Sequence, residues 1–221
     1  MQRSELESQL LQGCRRLACK AFLNAPPDSF SVRVPGRLEM ILVSDCQDWR
    51  QVGVADLRTV PFSITDGCGG LHASIYRGRA HVGAVVVSSP KGVGVLARAG
   101  GRLPPLFDEQ ARHLGMATKP LSDAGPVSIE IIRETLGQGA NAVLLGERSL
   151  CLGMNCERAV CNTELYEKCA QAYVIATAAG SRISTIPGWV CFIANRRLLR
   201  DERRAAASYR RGVPAELTSG Y

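Results

Sequence analysis

The chain has 221 residues, of which 46% are apolar and 21% are charged, and its formal net charge is +7. This composition is typical of a globular protein, long enough for one large domain or two small ones. No apolar run approaches the ~20 residues that span a bilayer, and the polar start Met1–Glu7 is unlike a signal peptide. The sequence therefore predicts a soluble, cytoplasmic protein with no membrane span.

Nine cysteines are many for a chain of this length, but no two of them form a C-x-x-C pair. An odd count without a secretory signal favours reduced, mostly buried thiols over disulfides. The ligand spacing of a structural zinc site is also absent. The sequence thus predicts reduced thiols at Cys14, Cys19, Cys46, Cys68, Cys151, Cys156, Cys161, Cys169 and Cys191.

The start of the chain predicts a helix followed by a β-hairpin. Ser4 and Glu7 form a capping box, and apolar residues follow at helical spacing to about Ala21. Phe30–Val34 alternates in character and predicts a half-buried strand. After a Pro-Gly turn, Glu39–Val43 predicts its antiparallel partner.

A helix and a buried strand form the centre of the predicted fold. Thr65–Gly70 is a glycine-rich loop without the spacing of known phosphate-binding loops, so a connecting role is favoured over an anion site. The helix after it carries the apolar stripe Leu71, Ile75 and Tyr76. The β-branched run Val82–Val87, ended by polar residues and a proline, predicts a buried strand.

The rest of the chain predicts an alternation of helices and short strands. Ala142–Leu145 pairs with Leu150–Leu152 in a hairpin, Leu103–Leu106 is a further extended strand, and Val190–Ala194 fits a strand or a helix start. Helices are predicted at Gly92–Ala99, Asp108–Leu114, Val127–Leu136, Cys156–Ala179 (capped by Asn155) and Leu198–Tyr209. We expect a single α/β domain over residues 1–221, with a mixed or antiparallel sheet covered by helices on both faces.

Arginines crowd a basic C-terminal segment at about residues 190–221. A surface for nucleic acid or an acidic partner is one interpretation. The favoured interpretation is a solvated helix face whose arginines pair with Asp201, Glu202 and carboxylates of a neighbouring subunit. No aromatic residues alternate with the arginines to stack on bases, so the sequence argues against nucleic acid as a partner.

Two blocks of the sequence resemble the class II aldolase/adducin family. The first is Leu71–Tyr76 followed by Val82–Val86, and the second runs from Ala142–Leu145 to Asn155–Ala159 and the long helix. The resemblance covers roughly residues 4–180. It implies a three-layer α/β/α domain around a central, largely antiparallel sheet, and a homo-oligomer that in many members is a tetramer.

The resemblance also implies where the enzymes of this family hold a divalent metal, usually zinc. A His-x-His pair at the end of the first buried strand corresponds to Val87 and Ser89, and a third histidine corresponds to Arg148. The acidic ligand corresponds to a position near Cys68, two residues after Asp66. Valine does not ligate, serine is a poor zinc ligand and arginine carries a fixed positive charge. We therefore expect no metal ion and no other cofactor.

The phosphate-binding positions that the resemblance implies are replaced as well, by Asp28–Ser29 and Asp45–Cys46. An aspartate beside a phosphate is electrostatically unfavourable. The three histidines of the chain do not restore a ligand set. We expect His72 to pack or hydrogen-bond inside the fold, His81 to be solvated in a turn, and His113 to lie on the surface.

The favoured hypothesis is a divergent, metal-independent family member. Its former active-site cleft either binds an anionic small molecule or serves as a scaffold, which would make it a pseudoenzyme. The residues expected to bind the ligand are Ser88, Ser89, Lys91 and Glu147.

Two alternatives stay open. In the first, the protein is a metal-independent lyase or aldolase that uses Ser89 and other side chains of the same cleft. Arg148 then stabilises an oxyanion, Cys68 acts as nucleophile or acid–base group, and Tyr209 supplies a proton. In the second, residues 196–211 bind nucleic acid or an acidic partner in a salt-sensitive manner.

Overall fold

A computed structural model of the chain describes residues 3–24, 26–115, 120–122, 129–137 and 139–216. The helices are α1 (Arg3–Cys19), α2 (Gly67–Gly78), α3 (Lys91–Arg98), α4 (Ile129–Leu136), α5 (Cys156–Ala178) and α6 (Gly188–Arg210). The strands are β1 (Ser29–Arg33), β2 (Glu39–Ser44), β3 (Arg58–Pro61), β4 (Ala84–Ser88), β5 (Ala142–Leu145) and β6 (Arg148–Gly153). A 3₁₀ turn at Val54–Asp56 and a π turn at Gln110–Leu114 complete the regular structure of the described residues.

The six strands form a sheet in the order β3-β2-β1-β4-β6-β5, and every neighbouring pair is antiparallel. Strand β4 lies in the interior of the sheet and hydrogen-bonds to β1 and β6. Its residue Val87 is opposite Ser29 on one side and Leu150 on the other. The predicted β1–β2 and β5–β6 hairpins are therefore both present.

Helices cover both faces of this sheet. Because side chains alternate along a strand, Ala84 and Val86 pack into a core with α1 and α5, whereas Val85 and Val87 pack into a core with α2 and α4. Both faces of β4 are thus buried, which explains its unbroken run of valines. The three-layer α/β/α fold with an antiparallel sheet, implied by the resemblance, is confirmed.

Hydrogen bonds between polar side chains fix α2 against β1. Ser29 and Ser31 direct their hydroxyls towards α2, where the His72 ring lies 3.0 Å from Ser29 Oγ through Nε2 and 2.6 Å from Ser31 Oγ through Nδ1. Tyr76 Oη also lies 2.8 Å from Ser31 Oγ. Burial lowers the pKa of His72 to about 3, so the ring is neutral. The predicted internal hydrogen-bonding role of His72 is confirmed.

Of the two alternatives for Val190–Ala194, the helix start is confirmed, because these residues lie in the first turns of α6. Two other parts of the fold differ from the sequence predictions. Leu103–Leu106 is not a strand. Edge strand β3 is absent from the predictions because it is short, mostly exposed and ends in a proline. The predicted start of α4 at Val127 lies outside the described residues, and most of the glycine-rich loop belongs to α2.

The expectation of a solvated His81 is wrong. Its side chain is only 14% exposed, and its Nε2 lies 3.2 Å from Arg79 Nη2 and 3.5 Å from a carboxylate oxygen of Glu202. Burial, together with the charges of Arg79 and Arg33, lowers the pKa of His81 to about 3. The ring is therefore a neutral hydrogen-bonding partner of the buried Arg79–Glu202 pair rather than a surface cation.

The nine cysteines all lie in described parts of the chain, and all are free thiols. Six of them are buried, as the sequence predicted. None of the helices in the described ranges is both long enough and apolar enough to cross a membrane. The single domain over residues 1–221 stays a prediction.

Buried neutral histidines make the stability of the fold depend on pH. An unfolded histidine has a pKa of about 6.5, whereas His72 in the fold has a pKa of about 3. The unfolded chain therefore binds more protons between these values, and the free energy of unfolding falls as the pH drops below 6.5. For one such group the loss is at most about 1.4 kcal/mol per pH unit.

We predict that His72→Gln, which removes the titrating ring, lowers stability at pH 7 but weakens this pH dependence. Urea unfolding of both proteins at pH 7, 6 and 5 measures the effect. The slope of unfolding free energy against pH should be smaller in the variant by about 1 kcal/mol per unit. Equal slopes in the two proteins would contradict the neutral, buried assignment.

Candidate functional site

The end of β4, the start of β6 and the first turn of α2 meet at one place, which we call the corner. Val87 and Leu150 face α2 in a shared core. Side chains alternate along strands, so residues two positions apart lie on the same side of the sheet. Ser89 is two residues after Val87, and Arg148 is two residues before Leu150, so both lie on the α2-facing side. The corner is defined by Cys68, Val87, Ser89 and Arg148.

Helix α2 directs its N-terminus towards the corner. His72 contacts Ser29 at the start of β1, and Tyr76 contacts Ser31 further along the strand. The helix therefore runs parallel to β1. Cys68 precedes His72 by one turn, so it lies beyond Ser29, the β1 residue that is opposite Val87. The structure thus brings Cys68, Ser89 and Arg148 to the same end of the sheet.

The first turn of α2 is open. Gly67 has a φ of +62°, a left-handed conformation that glycine adopts without strain, and a Cβ at this position would meet nothing within 4 Å. Asp66 is the N-cap, but its side chain makes no capping hydrogen bond. Helix N-termini favour anions through their backbone N–H groups and the helix dipole. An anion near Gly67 and Cys68 would therefore be stabilised.

A buried carboxylate lies behind Ser89. Asp28 is completely buried, and its Oδ1 accepts a hydrogen bond of 2.6 Å from Ser89 Oγ. Its Oδ2 accepts a second, of 2.8 Å, from the backbone N–H of Asn24. The sequence missed this contact because the two residues lie 61 positions apart. The sequence signal for Asp28 was its place directly before the first strand, at a phosphate-binding position that the resemblance implies.

Ser88 faces the opposite side of the sheet from Ser89. Its hydroxyl is fully buried and lies 2.6 Å from the Ser149 hydroxyl on β6. Alternation places both side chains on the side of α3 and α5 rather than α2. The structure therefore separates Ser88 from the other predicted ligand-binding residues and gives it a role in holding β4 to β6.

Two further predicted ligand-binding residues are exposed at the rim of the corner. Lys91 begins α3, whose N-terminus is already capped because Glu167 accepts the N–H groups of Gly92 and Val93 at 2.7 and 2.8 Å. Glu147 precedes Arg148 and forms an ion pair with Arg98 at 2.5 Å. The end of α3 is thus satisfied within the chain, whereas that of α2 lacks a side-chain cap.

Arg148 is half-buried, and its Nη1 donates a hydrogen bond of 3.5 Å to the Pro27 carbonyl. A guanidinium has five N–H donors in a planar fork, so it can hold a backbone carbonyl and an anion at the same time.

Tyr209 lies at the other end of β4. Its Oη donates a hydrogen bond of 2.8 Å to the Met154 carbonyl, and a Cβ on Gly83 would collide with both groups. Burial raises the pKa of Tyr209 to about 12. A strand rises ~3.3 Å per residue, which puts Tyr209 about 16 Å from Ser88. Within one chain, Tyr209 therefore does not join Cys68 and Arg148.

The residues at the corner do not fit a catalytic zinc ion. Such a site needs three nitrogen, sulfur or carboxylate ligands and an open position. The positions implied for histidine hold Val87, Ser89 and Arg148, and the guanidinium would repel a cation. Within the ranges that the structure describes, no group of three His, Cys, Asp or Glu side chains is arranged to hold a metal.

A cavity of about 530 Å³, unforeseen from the sequence, lies away from the corner. It is formed by α1, the start of α5 and residues 214–216. Its polar lining includes Gln9, Arg16, Asn155 and Glu157.

One sequence family matches most of the chain: the class II aldolase and adducin N-terminal domain, over residues 13–174. Among curated protein sequences, none matches at a significant level.

Solved structures with the same fold include L-fuculose-1-phosphate aldolase from Thermus thermophilus, with a TM-score of 0.67 and 21% identity over 82% of this chain and 100% of that one. L-fuculose 1-phosphate aldolase from Glaciozyma antarctica has a TM-score of 0.73 and 19% identity over 94% and 87% of the two chains. YgbL from Escherichia coli, a putative aldolase/epimerase/decarboxylase, has a TM-score of 0.72 and 14% identity over 86% and 98%. At these identities the likeness shows the fold.

We predict that the purified protein, incubated with zinc, manganese or iron and then desalted, retains less than stoichiometric metal by plasma mass spectrometry. The physical reason is that Arg148 replaces a ligand with a positive charge. The variant Val87→His/Ser89→His/Arg148→His is the positive control and should retain zinc. Stoichiometric metal on the unaltered chain would contradict our assignment of the corner.

Proposed function

The chain belongs to the family of class II aldolase and adducin N-terminal domains, and from this premise we propose that it is a divergent member whose corner binds an anionic small molecule without a metal ion. The observation that carries the proposal is Arg148, half-buried at the start of β6 on the α2-facing side. There it offers a fixed positive charge where family enzymes hold a cation. A guanidinium binds carboxylates and phosphates through two parallel N–H groups.

The surroundings of Arg148 support an anionic ligand. The first turn of α2 has no side-chain cap and opens towards the corner, so its N–H groups add favourable electrostatics. Lys91 adds an exposed charge at the rim, whereas the single hydroxyl proton of Ser89 is donated to the buried Asp28 carboxylate. The nearby carboxylates have partners in the chain, because Asp28 accepts from Ser89 and Glu147 pairs with Arg98.

The remaining parts of the proposal follow from family membership and composition. A homo-oligomer, in particular a tetramer, is proposed from the family alone. A cytoplasmic location agrees with nine reduced thiols. If the corner binds no ligand, we propose that the protein is a pseudoenzyme, in which this part of the fold serves only as a rigid scaffold.

We predict that inorganic phosphate or malonate raises the melting temperature of the unaltered protein through the corner. At ten times its Kd, a ligand stabilises the fold by about 1.4 kcal/mol, which corresponds to a melting-temperature rise of about 3–5 °C. Arg148→Ala should weaken binding at least about tenfold, and Arg148→Lys should retain part of it because lysine keeps the charge.

The matched control for these variants is Arg50→Ala, which removes an exposed arginine outside the corner. Its phosphate response should equal that of the unaltered protein. Circular dichroism shows whether each variant is folded. An Arg148→Ala variant that is folded and responds to phosphate like the control would refute the anion site.

A second candidate function is a metal-independent lyase or aldolase in the same corner. The position of Cys68 favours it, because this half-buried thiol lies in the first turn of α2 and faces the same corner as Arg148. Reactive cysteines commonly lie at helix N-termini. In carbon–carbon cleavage Cys68, as a thiolate, would take the proton of the hydroxyl on the carbon that becomes the aldehyde. The C–C bond would break, and its electron pair would form an enediolate whose oxygen Arg148 would stabilise. The Cys68 thiol would then return the proton to the enediolate carbon, which gives the ketone product and restores the thiolate.

This candidate predicts cleavage of L-fuculose 1-phosphate, the compound in the names of two matched structures, in the presence of EDTA. Product formation followed by NMR should fall at least about 100-fold in Arg148→Ala and in Cys68→Ala. Tyr209→Phe should leave the rate unchanged if each chain acts alone. Activity that EDTA abolishes, or that survives both substitutions, would exclude this mechanism.

A further inference from the structure

The acidic residues of helix α6 face the interior rather than the arginines around them. Asp201 accepts a hydrogen bond of 2.7 Å from Arg112, and its side chain is 11% exposed. Glu202 lies 3.4 Å from Arg79, and its side chain is 6% exposed. Among the arginines of α6 in the described part of the chain, Arg204 alone lies within ion-pair distance of either carboxylate, at 4.0 Å from Asp201.

Because the two acidic side chains face inward, the charged side chains on the outer side of α6 are all positive. The inward side is formed by Cys191, Leu198 and Ala205, which recur at helical spacing and are buried. The outward side carries seven exposed arginines, and Arg204 is the one with an ion-pair partner among the described residues. We call this surface the arginine face: Arg196, Arg197, Arg200, Arg203, Arg204, Arg210 and Arg211.

Exposed apolar side chains occupy the first two turns of the same outward side. Trp189 is 68% exposed, Phe192 is 62% exposed and Ile193 is 48% exposed. The Arg196 guanidinium lies 5.7 Å from the centre of the Phe192 ring. The sequence shows no aromatics between the arginines, but the helix places two directly before them on one side.

We infer that the arginine face, together with Trp189 and Phe192, binds single-stranded nucleic acid. Phosphates require positive charge along the path of the strand, and the face supplies arginines over about 22 Å at 1.5 Å per residue. Unpaired bases require flat apolar surfaces, and exposed aromatic rings supply these regardless of base sequence. Arginine also stacks on bases while it binds phosphate.

The same observations argue against two other occupants. A two-fold symmetric contact between copies of this chain that is centred on the arginine face would place arginines against arginines. Helices that lie in a membrane surface insert a long apolar face. Here the apolar face packs inward, and the exposed apolar residues are confined to the first two turns.

Fluorescence anisotropy of labelled 15-nucleotide oligouridylate and oligothymidylate, between 50 and 200 mM KCl, tests the inference on the full chain. The logarithm of the affinity should fall with the logarithm of salt concentration with a slope of about −4, as for about six phosphate contacts on a single strand. Arg197→Gln/Arg200→Gln/Arg203→Gln should reduce that slope by about 2 and weaken binding at least about tenfold at 100 mM KCl.

The control Arg50→Gln/Arg102→Gln/Arg133→Gln removes the same charge from exposed arginines outside α6. It should change the affinity by no more than about twofold, because salt screens distant charges. Trp189→Ala/Phe192→Ala should weaken binding at least about thirtyfold without changing the salt slope, since stacking releases no counterions. Circular dichroism checks the folding of all three variants.

Three outcomes would overturn the inference. The first is equal weakening by the control and by the α6 arginine variant. The second is binding to vesicles of about 30% phosphatidylserine with none to either oligonucleotide. The third is that Trp189→Ala/Phe192→Ala lowers the oligomeric state measured by light scattering and leaves oligonucleotide affinity unchanged.

Discussion

The position of β4 between β1 and β6 is the constraint on which the rest of the structure depends. A strand with hydrogen-bonded neighbours on both edges and helices on both faces has no freedom to rotate or shift. Alternate valines are therefore fixed in two separate cores, one with α1 and α5 and one with α2 and α4. Ser89, which directly follows β4, is therefore held at a defined place at this end of the sheet, and this place is the corner.

Burial of charge governs both the corner and α6. A buried ionised group needs a partner, since removing it from water is costly. Asp28 has Ser89 and Asn24, and Glu202 has Arg79. These acids are satisfied inside the fold, so the positive charges left near the surface act outward. On α6 these positive charges form the arginine face, whose arginines are exposed.

Local patterns were enough to predict most of the fold. The helical spacing of the apolar residues in α1, the alternation of the first hairpin and the valine run each depend on neighbouring residues, and the resemblance supplied the layer order. The predicted capping box is wrong, because Ser4 lies inside α1, which begins at Arg3. The errors concern long-range contacts. The local sequence predicts a solvated His81, but Glu202 of α6 packs against it in the fold. Ser88 and Ser89 are adjacent in the sequence, but the pleat of the strand directs their side chains to opposite sides. The orientation of Asp201 likewise depends on Arg112, 89 positions away.

The central claim is that the corner accepts an anion in place of a metal ion. Crystals soaked separately with selenate and with zinc chloride test it most directly, through anomalous difference maps. We predict a selenium peak within about 4 Å of the Arg148 guanidinium, near the first turn of α2, and no zinc peak at the corner. A zinc peak bounded by Cys68 and Ser89, with no selenium peak beside Arg148, would contradict it.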